Sequence, residues 1–133
     1  MILIKAEIKG EPDVPPFTRF FEYPDESDEQ IFFRSLELIK EKLSKNLRIN
    51  TNESLALYCG YVVNQLRASR SIDSIENNAA KILEPDNVMI GVPETLRRIS
   101  FEVILDNLTI RKILFREPIL ATSYQLQNGK TVR

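Results

Sequence analysis

The sequence predicts an α+β fold in which a bundle of three to four helices precedes a C-terminal β-hairpin, with a possible extra strand at the N-terminus. Two patterns support this prediction. Apolar residues recur at helical spacing between residues 27 and 94, and they alternate with polar residues in residues 1–8 and 98–114. A chain of 133 residues with 43% hydrophobic and 28% charged residues suits one domain with one modest core.

The N-terminal segment predicts a strand followed by an extended connector. In residues 1–8, Ile2, Ile4 and Ile8 fall on one side, which is typical of a half-buried strand. Residues 10–24 contain four prolines, which lack a backbone donor and fix φ, so we expect a connector rather than a helix. We divide the chain into an N-terminal addition at residues 1–22, a main domain at residues 23–119 and a polar tail at residues 120–133.

Two helices are predicted in the first half of the main domain. The first begins near Ser27 or Asp28. The spacing of Ser27 to Gln30 fits a capping box, and acidic residues around this point favour the positive end of a helix. The second begins at Asn50, with Glu53 in the third helical position. Residues 55–63 are apolar nearly all round, which predicts a central helix or one that a neighbouring subunit covers.

Shorter elements complete the prediction. Ser71 caps a third helix, whose predicted apolar positions are Ile72, Ile75, Ala79, Ile82 and Leu83. Pro85 begins a short fourth segment, where its missing donor costs little. Gly91 is expected to end that segment, and Pro93 to prevent its continuation. The hairpin turns at residues 106–108. Its apolar positions are predicted to be Ile99, Phe101, Val103 and Leu105 on one strand, answered by Ile110 and Leu114 on the other. The N-terminal strand could pair with a hairpin edge as a third strand.

Three motifs at fixed spacing resemble those of a known family. The chain reads LRINTNES at residues 47–54, VMIGVPE at residues 88–94 and REPI at residues 116–119. Urease gamma subunits characteristically read L-x-L-N-x-x-E-A, V-M-x-G-V-P-E and H-[DE]-P-I at the corresponding places. Their pattern fits residues 23–94 without a gap, so the chain resembles this family over most of its length.

The resemblance implies a non-catalytic structural subunit of a urease-type assembly, a nickel-dependent urea amidohydrolase, packing against catalytic and beta-type subunits. It also implies interface positions, which are Arg67, Gly91, Val92, Pro93, Glu94 and Arg116. Arg67 is retained where family members often show Gly-Ala-Arg-Asp-Gly, although charge complementarity at a helix end explains it equally well. For the turn at residues 91–94, the alternative to an interface role is that it is a purely internal turn. Arg116 stands where the family has histidine, and it cannot reproduce a titratable imidazole.

The residue types exclude most catalytic chemistry. The chain has no histidine, whereas urease chemistry needs imidazole ligands for a pair of nickel ions, so nickel is expected only in a partner and no cofactor in this chain. Catalytic triads and ordinary zinc sites are excluded for the same reason. Cys59 has apolar neighbours and is expected to be a small buried hydrophobe. Acidic residues 25–29 are expected to favour a helix N-terminus rather than to form a catalytic pair. The isolated chain is therefore predicted not to be a hydrolase.

A second hypothesis is a stand-alone gamma-like homologue, an oligomeric or partner-binding module unrelated to urea hydrolysis. Its N-terminal strand would replace a surface that a partner normally covers. Nucleic-acid binding is a weaker hypothesis, since the net charge is −1 and no stripe is expected from the basic residues near the hairpin, which are Arg97, Arg98, Arg111, Lys112 and Arg116. No apolar run of membrane-spanning length and no signal-peptide pattern is present, so we expect a cytoplasmic location.

Overall fold

The computed structural model describes residues 1–120 and has the predicted α+β architecture. In chain order its elements are β1 (Ile2–Lys9), β2 (Phe17–Tyr23), α1 (Glu26–Ser44), α2 (Thr51–Arg67), α3 (Ile72–Asn77), two 3-10 turns (Ala79–Lys81 and Pro85–Asn87), α4 (Val92–Thr95), β3 (Arg98–Leu105) and β4 (Thr109–Arg116). The predicted polar tail beyond residue 120 lies outside the described residues. Within residues 1–120, no helix is long and apolar enough to cross a membrane.

The sheet has four antiparallel strands in the order β2-β1-β3-β4. The predicted N-terminal strand is confirmed, and it pairs with the hairpin along its whole length. The connector prediction is incomplete, because Phe17–Tyr23 forms a fourth strand paired with β1. No proline lies between Pro16 and Pro24, so the seven residues of this strand keep their backbone donors, and they carry the aromatic side chains that favour strands. Residues 1–22 therefore share one sheet with the hairpin.

The helices cover one face of this sheet, and the core lies between them. Ile2, Ile4 and Ile8 of β1 are buried there, as are Phe101 and Phe115 of the hairpin. Phe115 makes edge-to-face contacts with Tyr58 at 5.5 Å and with Phe101 at 4.9 Å between ring centroids. Such aromatic clusters dominate the packing energy of a small core.

The predicted apolar face of β4 is wrong. Ile113 and Phe115 are buried, whereas Ile110 is 59% exposed on the opposite face. The turn at residues 106–108 is confirmed, and it sets a register in which Phe101 pairs with Ile113. Because side chains alternate between faces, choosing the other set of residues places every side chain on the wrong side of the sheet.

Local capping signals position the two long helices. The α2 cap is confirmed, since Asn50 and Glu53 form a reciprocal capping box. The cap of α1 is Asp25 instead of Ser27, because the Asp25 side chain accepts a hydrogen bond from the Asp28 N–H. The α2 helix is the central one, and its apolar residues are covered by this chain's own α1 and sheet. The isolated chain therefore does not expose that helix, and a partner is not needed to bury it.

The third helix is shorter than predicted. Ser71 caps it as expected, accepting a hydrogen bond from the Ser74 N–H, but the α-helix ends at Asn77. The chain then continues through the turns at Ala79–Lys81 and Pro85–Asn87. The Asn78 side chain donates back to the Ser74 carbonyl at 2.8 Å, and this local bond satisfies an acceptor at the end of the helix. Pro85 begins its turn as predicted.

Candidate functional site

The turn at residues 91–94 begins a short helix, whereas Gly91 and Pro93 were predicted to end one. Gly91 has φ of +93°, a left-handed conformation, and it precedes α4 rather than simply ending a helix. Pro93 lies inside α4, in its first turn, where a missing N–H costs little. Val92 and Pro93 are buried, while Gly91 and Glu94 are half-buried. The turn is therefore anchored in the core by its middle residues.

The N-terminal addition packs directly against this turn. The Glu11 N–H donates to the Glu94 carbonyl at 3.1 Å. A Cβ atom on Gly10 would lie 2.7 Å from the same carbonyl oxygen, so the two backbones approach as closely as glycine permits. Arg97, just after α4, bridges Glu11 at 3.0 Å and Glu117 at 2.7 Å. The β1–β2 connection is thus fastened to the open end of the hairpin, where β3 begins and β4 ends.

We expect Gly10→Ala to lower the free energy of unfolding by about 1 to 2 kcal/mol, since the added methyl group must displace backbone rather than a flexible side chain. Urea denaturation of the purified chain measures this change. Asp13→Ala, at an exposed position in the same connection, is the control and should have little effect. Equal stability of Gly10→Ala and the wild-type chain would contradict the close packing.

Exposed apolar side chains lie beside the turn. Ile90 is 92% exposed, and Met89 and Leu47 are also largely exposed. They flank a short parallel bridge between Ile49 and Val88, in which the Met89 N–H donates to the Ile49 carbonyl at 2.9 Å. We call Leu47, Met89 and Ile90 the bridge patch. Sequence reasoning missed it, although an apolar pair directly before a helix-breaking glycine was a usable signal.

Arg67 joins three distant parts of the chain. Its guanidinium contacts both carboxylate oxygens of Asp106 at 3.0 and 3.2 Å, and it donates to Glu29 at 2.8 Å. The Met1 α-amino group donates to the same two carboxylates. The network connects the start of β1, the first turn of α1, the end of α2 and the hairpin turn. The Arg67 side chain is 30% exposed, and the hydrogen bonds named above join it to residues of its own chain.

The charges in this network shift one another's proton affinity. The hydrogen bond from Arg67 holds the pKa of Glu29 below its ordinary value of 4.5. Hydrogen bonds from the α-amino group and from Arg67 lower the pKa of Asp106 in the same way. Both directions follow because a donated hydrogen bond stabilises the carboxylate form. The network is therefore fully ionised at neutral pH.

Arg116 lies at the open end of the hairpin, away from the turn at Asp106 that Arg67 contacts. It ends β4 on the outer face of the sheet, directly opposite Arg98, which is itself opposite Lys9. All three side chains are exposed, and none has an ion-pair partner within residues 1–120. Strand pairing therefore brings Arg98 and Arg116 beside Lys9, which was not among the predicted basic residues. Arg111 and Lys112 lie further along β4, so the five predicted residues do not form one stripe. We call Lys9, Arg98 and Arg116 the basic row.

The described residues offer no metal centre. Within residues 1–120, no group of three His, Cys, Asp or Glu side chains is placed to hold a metal ion, so they do not fit the nickel pair that urease chemistry requires. Cys59 is fully buried, as predicted, and burial raises the pKa of its thiol. A thiol that stays protonated is a poor nucleophile. Burial likewise raises the pKa of Tyr58.

These features define a small α+β domain whose helices pack on one face of an antiparallel sheet and whose exposed features are an apolar patch and a basic row. A family model described as "Urease, gamma subunit" matches residues 22–118. The chain therefore belongs to the urease gamma subunit family, as the motifs indicated.

Two relatives show how far the similarity extends. Urease subunit gamma of Halalkalibacterium halodurans is 28% identical over 96 residues, covering 72% of this chain and 95% of that protein. Urease subunit gamma of Laribacter hongkongensis is 26% identical over 81 residues, covering 61% of this chain and 81% of that protein. The family match begins at residue 22, so β1 and the first five residues of β2 precede it.

Proposed function

We propose that this chain is a non-catalytic structural subunit of a urease-type assembly, packing against nickel-bearing catalytic subunits and a beta-type subunit in the cytoplasm. The observation that carries the proposal is the family match over residues 22–118, in a chain that has no histidine. Without imidazole, the catalytic metal centre must belong to another chain. The role left to this chain is to assemble and stabilise that partner.

The bridge patch is the surface that best fits this role. Ile90 is almost wholly exposed beside a backbone that buried Val92 and Pro93 hold in place. Large apolar side chains on a rigid support are typical anchors of protein interfaces, since little conformational entropy is lost when they dock. Gly91 and Glu94 border this surface. The basic row, including Arg116, offers a second contact for an acidic region of a partner.

The experiment is affinity purification of the tagged chain from its own cells, with the eluate analysed for protein composition, nickel and urea hydrolysis. Recovery of a larger nickel-containing hydrolase with this chain supports the proposal. Recovery of the chain alone, as a defined oligomer without nickel or urea hydrolysis, contradicts it and favours the stand-alone module.

We expect Ile90→Glu to reduce the recovered urea-hydrolysing activity by about tenfold, because a charge replaces an apolar anchor at the interface. Ile31→Glu is the matched control, because Ile31 is also an exposed isoleucine, 64% exposed on α1, and it should keep recovery near the wild-type level. Circular dichroism checks that both variants are folded. Equal recovery of the two variants would exclude the bridge patch as the contact.

A further inference from the structure

The hydrogen-bonding pattern of the sheet leaves the outer side of β2 open. The Asp106 N–H donates to the Met1 carbonyl at 3.2 Å, so this end of β1 bonds to the hairpin. Hydrogen-bonded and non-bonded pairs alternate along antiparallel strands. The residues of β1 whose backbone groups bond to β2 are therefore every second one, starting at Ile2 and ending at Ile8.

The register of β1 and β2 shows which residues of β2 have backbone groups on the open edge. The β2 partners of these residues are Tyr23, Phe21, Arg19 and Phe17. The backbone groups of Thr18, Phe20 and Glu22 must then point away from β1. Within residues 1–120, β2 has no strand on that side, so a row of backbone donors and acceptors faces outward.

The two edges of the sheet differ in how they are protected. On the opposite edge, the carboxylate of Glu76 in α3 accepts a hydrogen bond from the outward Leu114 N–H of β4 at 2.8 Å. On β2, the pairing with β1 is continuous, without a bulge, and Phe17–Tyr23 contains no proline or lysine. Bulges, prolines and lysines are the usual devices that prevent a strand edge from pairing with another chain. The Arg19 guanidinium lies over the Phe17 ring of its own strand at 4.7 Å.

We propose that β2 pairs antiparallel with β2 of a second copy of this chain, about a two-fold axis at Phe20, forming a continuous eight-stranded sheet. The strand is self-complementary in this register. Phe20 lies opposite its own copy, Thr18 opposite Glu22, Arg19 opposite Phe21, and Phe17 opposite Tyr23. Aromatic pairs and an arginine–aromatic pair stabilise facing strands, and no like charges lie directly opposite.

The outer face supplies a further reason for a second copy. Phe20 is 63% exposed, and together with Leu3, Ile104 and Ile110 it lines a shallow groove of about 280 Å³. Pairing at the two-fold axis covers each Phe20 ring with the other and places the two grooves side by side. One contact thereby pairs the open backbone groups of β2 and buries the most exposed aromatic ring of the sheet.

A cysteine cross-link tests the register. In a hydrogen-bonded antiparallel pair the Cα atoms are about 5.5 Å apart, a separation that suits a disulfide. Purified Phe20→Cys chain should form an intermolecular disulfide at least about tenfold faster than Lys112→Cys. Lys112→Cys places an exposed thiol on the opposite edge strand, β4, outside the groove. Buried Cys59 should not compete. Equal rates for the two variants would overturn the two-fold register.

Sedimentation of the isolated full chain tests the association itself. The wild type should shift from its 15.4 kDa monomer mass toward twice that mass as concentration rises. Phe20→Lys should weaken the dimer at least about tenfold. Leu108→Lys should leave it unchanged, because Leu108 is 70% exposed in the hairpin turn and lies outside the groove. A monomer at every concentration, a trimer, or a dimer that survives Phe20→Lys would overturn the proposal. Because no other subunit is present, either result leaves the proposed function untouched.

Discussion

Replacing Phe115 with alanine is expected to lower the free energy of unfolding by about 4 kcal/mol, the largest effect of any single change considered. Phe115 is 1% exposed, and its ring contacts Tyr58, Tyr61 and Phe101. These contacts connect β4 with both β3 and the central helix α2. Removing the ring leaves a cavity that a rigid sheet cannot close. Urea denaturation followed by circular dichroism measures the loss.

Leu114→Ala is the matched control, because Leu114 is the neighbouring apolar residue on the opposite face of β4 and is only partly buried. We expect it to cost less than about 1 kcal/mol. The comparison also tests the corrected register of the hairpin. A larger loss from Leu114→Ala than from Phe115→Ala would show that the outer face, rather than the helix-covered face, holds the core.

Replacing Arg67 with alanine is expected to cost about 2 to 3 kcal/mol. This lies between the values for exposed and fully buried ion pairs, because Arg67 is 30% and Glu29 14% exposed. The substitution leaves Glu29 without its strongest partner and frees the hairpin turn at Asp106 from the end of α2. Arg67→Lys should recover only part of the loss, since an ammonium cannot make the bidentate contact with Asp106. Urea denaturation at neutral pH gives the difference.

Arg70→Ala is the control for a generic loss of positive charge. Arg70 lies three residues further on, is exposed, and has no ion pair within residues 1–120. It should change the stability by less than about 0.5 kcal/mol. Similar losses from Arg67→Ala and Arg70→Ala would exclude the Glu29 and Asp106 contacts as the cause.

The cost of Arg67→Ala should depend on pH in a defined direction. Arg67 lowers the pKa of Glu29 from its ordinary value of 4.5, so the carboxylate stabilises the folded state above that value. This contribution is lost as the pH falls through the lower folded-state pKa. The stability gap between wild type and Arg67→Ala should therefore be full at neutral pH and shrink below pH 4.5.

Sequence reasoning succeeded where the determining interactions are local. The Asn50–Glu53 capping box, the Ser71 cap and the hairpin turn each involve residues within a few positions of one another. Alternation in residues 1–8 predicted β1 because isoleucines at every second position have one stable arrangement on a sheet. The spacing of the three motifs likewise predicted the family, which the match over residues 22–118 confirms.

Sequence reasoning was less successful where a residue's neighbour lies far along the chain. Arg67 meets Glu29 and Asp106 across 38 and 39 positions, so no spacing rule could pair them. The basic row forms because β1, β3 and β4 align Lys9, Arg98 and Arg116. The choice between the two faces of β4 depends on register, which a turn and a helix surface set together.

By itself, the sequence determined the fold class, the start of the central helix, the absence of histidine and the membership of a family. The tertiary structure alone decided that Phe17–Tyr23 is a strand, that Arg67 is held by internal contacts, and that Met89 and Ile90 stand exposed. The physical reason is the range of the interactions. Capping and alternation act within one element, whereas strand pairing, ion-pair networks and exposure exist only after distant elements have packed.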